Sequence, residues 1–166
     1  SNNGRKLTCS ELINKDSRYY VDFEDFERKI EENPVKAFLL CSPHNPVSRV
    51  WSEEELRHML EICRQHNVVV ISDEIHHDLV FGGSRHTPTL SVAEESDRVI
   101  MLTAASKTFN IAAFHNSFVV IRDPQLRDDW DRFIGGIRTG SGSPAGYIAA
   151  EAAYRYGKAW LEDVKE

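Results

Sequence analysis

An amide, a carboxylate and an amine each stand just past an apolar run in this chain. Asn45 follows AFLLCS (37–42), Asp73 follows VVVIS (68–72) and Lys107 follows RVIMLTA (98–104). Open α/β sheets bind ligands beyond the carboxyl ends of their strands. If the three runs form neighbouring strands, the three groups span about 10 Å. That is the width of one planar heteroaromatic ring with its substituents. The set suits an aldehyde-bearing pyridine cofactor. The amine forms an imine with the aldehyde. The carboxylate keeps the ring nitrogen protonated, so that the ring accepts electrons. The amide hydrogen-bonds the ring's phenolic oxygen. Each residue alone has a plainer reading. A strand-end Asp is often a cap, a lone Lys is usually a solvated charge, and Asn-Pro is usually a turn. The order and spacing of all three carry the argument.

The elements that would position them alternate strand and helix. Asp22 caps a helix over FEDFERKIEE, with Phe23, Phe26 and Ile30 on one face. AFLLCS is apolar throughout, as expected of a strand buried on both faces. Pro43 and Pro46 make SPHNP a loop. Ser52 and Glu55 form a capping box that opens a helix with Leu56, Met59, Leu60 and Cys63 at helical spacing. VVVIS, RVIMLTA and SFVVIRD (117–123) read as further strands, and GGSRHTP (82–88) as a loop. LRDDWDRFIGGI reads as helical and GSGSP (140–144) as a flexible break. AGYIAAEAAYRYGKAWLEDVKE reads as one long Ala-rich helix with Gly157 as its weak point. This rhythm predicts a three-layer α/β/α fold with a mainly parallel sheet.

The 166 residues suffice for one domain with a real core. Net charge is −6, with Lys and Arg scattered, which argues against nucleic acid or an anionic membrane as partner. No apolar stretch approaches the ~20 residues of a membrane helix, and the N-terminus lacks a signal-peptide core. Cys9, Cys41 and Cys63 form no CxxC pair and read as reduced thiols of a cytoplasmic protein, the last two in the core. Seven histidines invite a metal. His76 and His77 are adjacent, however, and Cys63-x-x-His66 has no second pair, so no metal is expected. The Gly-rich stretches fit neither a G-x-G-x-x-G nor a P-loop, so a nucleotide-binding module fits poorly. Trp51, Trp130 and Trp160 are read as packing residues.

The stretches CSPHNPVSRVW, SEEELRHMLEICRQHNVVVISDEIHHDLVF and TAASKTFNIAA resemble the aminotransferase class I/II family. They look closest to its branch of cystathionine β-lyase-like carbon–sulfur lyases. The resemblance implies pyridoxal 5′-phosphate as cofactor, held as an imine by Lys107. It implies that Asp73 pairs with the pyridine nitrogen, Asn45 contacts the phenolic oxygen and Ile75 packs on a ring face. His76 stands where many relatives carry a phenolic Tyr. Ser106 and Thr103 would offer hydroxyls to the phosphate. SFVVIRD would return antiparallel. The implied reaction acts on an amino acid, by amino transfer or by β-elimination of a thiol, in a homodimer. Two positions depart from the family pattern: Ser48 where relatives have Gly, and His115 where many carry an Arg. Family members are more than twice as long. By the resemblance, residues 1–166 are the central part of the cofactor-binding large domain. An N-terminal segment and a C-terminal small domain are absent, and the chain alone is expected to be inactive. The rival reading is a non-catalytic domain that binds the cofactor or a partner.

Overall fold

A computed structural model describes residues 3–137 and 142–166. Strands β1 (Ile13–Lys15) and β2 (Arg18–Tyr20) form a small antiparallel hairpin. The main sheet has the order β3-β4-β5-β6, from β3 (Ala37–Cys41), β4 (Val69–Asp73), β5 (Val99–Thr103) and β6 (Phe118–Ile121). The first three strands are parallel, and β6 runs antiparallel to β5. Both the mainly parallel sheet and the antiparallel return match the expectation.

Helices α1 (Phe23–Glu31), α2 (Glu53–Gln65) and the short α3 (Thr89–Val92) belong to one face. There Phe26, Ile30, Leu56, Met59, Leu60 and Cys63 pack with Leu40, Val70 and Val99 of the strands. Helix α4 (Pro124–Ile137) lies on the other face, where Leu126 and Trp130 pack with Ile100, Ile121 and Ile71. Alternation along each strand feeds both cores: Val70 faces one, Val69 and Ile71 the other.

Local chemistry starts the helices where the sequence signals them. The Asp22 side chain accepts from the Asp25 N–H at 3.0 Å. Ser52 accepts from the Glu55 N–H at 3.1 Å, and Glu55 accepts from the Ser52 N–H at 2.7 Å, which completes the capping box. Arg49, itself buried, pairs with Glu55 and lies over the Trp51 ring at 4.7 Å. The loop before α2 is thereby tied to the helix start.

Three expectations are corrected. β3 is not buried on both faces: Leu39 is 68% exposed. α4 covers β5 and β6 but does not extend over β3, the edge strand among the described residues. The C-terminal helix is two helices, α5 (Pro144–Tyr156) and α6 (Lys158–Lys165), divided at Gly157. A Cβ at Gly157 would overlap the Phe109 ring and the Ala153 carbonyl oxygen, so only glycine lets the chain pass that close. Cys41 is half-buried rather than core: its Sγ contacts the Pro43 carbonyl oxygen at 3.3 Å and accepts from the Asn45 N–H at 3.5 Å. The GSGSP break lies partly outside the described residues; Ser143 within it caps α5 by accepting from the Gly146 N–H at 3.0 Å.

Candidate functional site

The sheet register sets the site. Cys41 pairs with Asp73, and Asp73 pairs with Leu102, so β3, β4 and β5 end at one level. The chain then turns at Ser42–Arg49, at Glu74–Asp78 and at Ala104–Asn110. Asn45, Asp73 and Lys107 therefore occur at the carboxyl ends of three adjacent strands, and all three are exposed.

These three side chains are chemically unspent. Asp73 Oδ1 accepts from the Ile75 N–H at 3.1 Å, which shapes the turn, and Oδ2 takes no bond among the described residues. Among those residues neither the Lys107 amine nor the Asn45 carboxamide has a hydrogen-bond or ion-pair partner. An acceptor, an amine and an amide left open past the carboxyl ends of three adjacent strands fit the groups of a pyridine aldehyde.

Around them the expected contributors differ in status. Ile75 is half-buried beside Asp73. His76 and Asn45 line a hollow of about 600 Å³ with Arg18, Ser48 and Phe81; Asp73 and Lys107 do not line it. Ser106 is half-buried, and its carbonyl accepts from the Ile111 N–H at 3.0 Å. Thr103 Oγ1 is engaged, donating to the Glu74 carbonyl oxygen at 3.2 Å and meeting His77 Nδ1 at 2.9 Å. His115 is exposed, with a left-handed φ of 51°. A larger apolar hollow of about 1190 Å³ lies along β3 and α1, lined by Leu7, Phe26, Ile30 and Leu39. It reaches Cys41 and His44, next to Asn45, but none of Asn45, Asp73 and Lys107 lines it.

Beneath the exposed trio lies a polar network that sequence reading missed. Glu74, next to Asp73, is 2% exposed. Its Oε1 accepts from Ser72 Oγ at 3.0 Å and from the Thr89 N–H at 2.9 Å, and its Oε2 meets His86 Nε2 at 2.8 Å. Burial works to raise the Glu74 pKa, but the His86 and Thr89 bonds and the His86 charge outweigh it, and the carboxyl sits below its ordinary range. The available signal was a polar D-E pair closing an apolar strand. Its partner His86 lies in a loop and could not be inferred from spacing.

Among the described residues, Glu27, Glu31 and His66 offer ligand atoms within 4.8 Å of one another at the surface. Cys63, by contrast, is core, with its thiol pushed up to about 12 by burial and then by the Asp97 carboxylate. No helix among the described residues is long and apolar enough to cross a membrane.

Known proteins are similar to this chain in sequence and fold. The chain is 40% identical over 163 residues to the cystathionine beta-lyase PatB of Bacillus subtilis, covering 98% of this chain and 42% of that protein. It is 37% identical over 149 residues to the protein MalY of Escherichia coli, covering 89% and 37%. Among solved structures, the pyridoxal-phosphate-bound C-S lyase of Staphylococcus hominis superposes with a TM-score of 0.87 at 36% identity, over 94% of this chain and 39% of that one. Cystalysin of Treponema denticola, which contains a pyridoxal 5′-phosphate cofactor, gives 0.88 at 40% identity, over 98% and 41%. The chain thus spans about two-fifths of the length of these relatives. The sequence profile of the family described as aminotransferase class I and II matches residues 6–163, and the chain belongs to that family.

Proposed function

We propose that this chain is the central part of the cofactor-binding domain of a pyridoxal-phosphate enzyme acting on amino acids, a carbon–sulfur β-lyase or an aminotransferase. The observation that carries the reading is the open set of Asn45, Asp73 and Lys107 at the ends of three adjacent strands. The names of the relatives favour the lyase.

The cofactor, when bound, supplies an aldehyde for amine exchange and a protonated ring that accepts electrons from the substrate's Cα. The chain's residues divide the remaining work. Lys107 Nζ would hold the cofactor through its aldehyde carbon and, once freed, would serve as the general base for the proton on the substrate's Cα. Asp73, with one carboxylate oxygen fixed by the Ile75 N–H, keeps the other for the ring nitrogen and holds its proton there. The Asn45 amide orients the ring through its phenolic oxygen. Ile75, half-buried beside Asp73, would cover the ring, and His76 would take the place of a phenolic side chain. Ser106 donates to the phosphate. Thr103 serves the phosphate only if its hydroxyl leaves the Glu74 carbonyl oxygen, so Ser106 is the stronger candidate. A homodimer and a cytoplasmic location complete the reading. Exposed Phe133, Ile148, Tyr156 and Trp160 on α4–α6 supply apolar surface for a subunit contact.

Borohydride reduction of the pyridoxal-phosphate-loaded protein, followed by peptide mass mapping, tests the assignment. The pyridoxyl group is expected on Lys107. A label on another lysine overturns it.

A further inference from the structure

The turn that carries Lys107 is joined to the turn that follows Asp73 by side chains that the chemistry above does not use. Thr108, the residue after Lys107, is 1% exposed. Its hydroxyl donates to Asp78 Oδ2 at 3.1 Å. The same oxygen faces His77 Nε2 at 3.2 Å. The other nitrogen of that imidazole, Nδ1, lies 2.9 Å from Thr103 Oγ1 and 2.9 Å from the carbonyl oxygen of Glu74. One imidazole and one carboxylate thus join the end of β4, the end of β5 and the Lys107 turn. Phe109 and Ile111 close that turn from within, donating to the carbonyl oxygens of Ala105 and Ser106 at 3.0 Å each. From outside, Tyr154 of α5 sets its ring against Phe109 at 5.7 Å. Burial, and then the Asp78 carboxylate, push the Tyr154 hydroxyl up.

Lys107 has no side-chain partner of its own among the described residues, so its backbone decides where the amine stands. Thr108 is the nearest residue with a side-chain bond to another element. We propose that Thr108 and Asp78 are positioning residues: the Thr108–Asp78–His77 link holds the Lys107 amine at a fixed place relative to Asp73. The inference rests on the reading of Lys107 as the cofactor-binding lysine. A misplacement of about 1 Å costs a reaction about a hundredfold, so slack in this link should lower turnover without weakening substrate binding.

The test is made in the intact protein. Thr108→Val removes the hydroxyl at nearly constant shape, and Asp78 stays paired with His77. Thr108→Ser keeps the hydroxyl. Thr108→Val is expected to lower kcat about tenfold to a hundredfold with KM little changed, and Thr108→Ser to restore it. In the cofactor-free protein, Thr108→Val is also expected to speed hydrogen exchange at the Phe109 and Ile111 amides and leave the β4 and β5 amides unchanged. Wild-type kcat in Thr108→Val, or equal loss in Thr108→Ser, overturns the proposal. Borohydride labelling of the unaltered protein separates the two readings. A label away from Lys107 removes the cofactor assignment and this inference with it. A label on Lys107 together with an unaffected Thr108→Val removes this inference alone.

Discussion

Glu74 Oε2 and His86 Nε2 lie 2.8 Å apart, with side chains only 3% and 8% exposed. The pair fastens the 82–88 loop beneath the strand end that carries Asp73. The Glu74 carboxyl is held below its ordinary range, so its folded form favours the carboxylate. That stability is fully present above the unfolded value, about pH 4.3. It is lost as the pH falls through the lower folded value.

Acid unfolding therefore provides the first prediction. Glu74→Gln should cost about 1–3 kcal/mol at neutral pH and flatten the acid limb of stability against pH. His86→Ala leaves a buried carboxylate without its partner and should cost more, about 3–5 kcal/mol. Urea midpoints across a pH series check both; an unchanged acid limb in Glu74→Gln contradicts the linkage.

The second concerns Asp73. On the proposed function, Asp73 supplies the charge that would hold the ring nitrogen's proton. Asp73→Ala in the intact protein should lower kcat by at least about a hundredfold. Melting should move little, because the side chain is exposed and bonds only one N–H. Steady-state kinetics within a few fold of wild type would refute the role.

Ser48 gives the third. It adopts a φ of 53°, in the region that favours glycine. The resemblance to the family puts Gly at this position. A side chain in this conformation costs about 1–2 kcal/mol, so Ser48→Gly should raise the melting temperature. Ser48→Val should lower it.

Thiol labelling gives the fourth. Cys9 is exposed, whereas Cys63 is 1% exposed with its pKa raised to about 12. In native protein at pH 8, iodoacetamide should modify Cys9 and leave Cys63 intact. Mass mapping before and after denaturation reads the order; early modification of Cys63 would contradict its burial.

The sequence made the helix starts legible because Asp22, Ser52 and Glu55 act within three residues of their partners. The parallel strands, and the placement of Asn45, Asp73 and Lys107 past their ends, were legible for a related reason: the apolar runs stop there. Leu39 was misread because its exposure depends on where α4 docks, which no local pattern encodes. Cys41 was misread because an apolar run does not reveal a loop folding back on its sulfur. The Glu74–His86 pair was invisible because two loops had to meet. Gly157 was seen as a weak helical position, but the cause of the break, contact with Phe109, is tertiary.

The reversal of β6 against β5 has a consequence for how this chain tolerates changes in length. The Lys107 segment leaves β5 and returns into β6 at the same end of the sheet, anchored on both sides by ladder bonds. Ala104, Ala105 and Thr108 are buried around the lysine, so an added residue there shifts the amine, and insertions between Thr103 and Thr108 should be rejected. The 82–85 tip is different. Residues 82–85 are all exposed, and lengthening such a surface loop costs little entropy. Length variation among natural variants should therefore collect at that tip, above the His86 anchor, and leave the lysine turn constant.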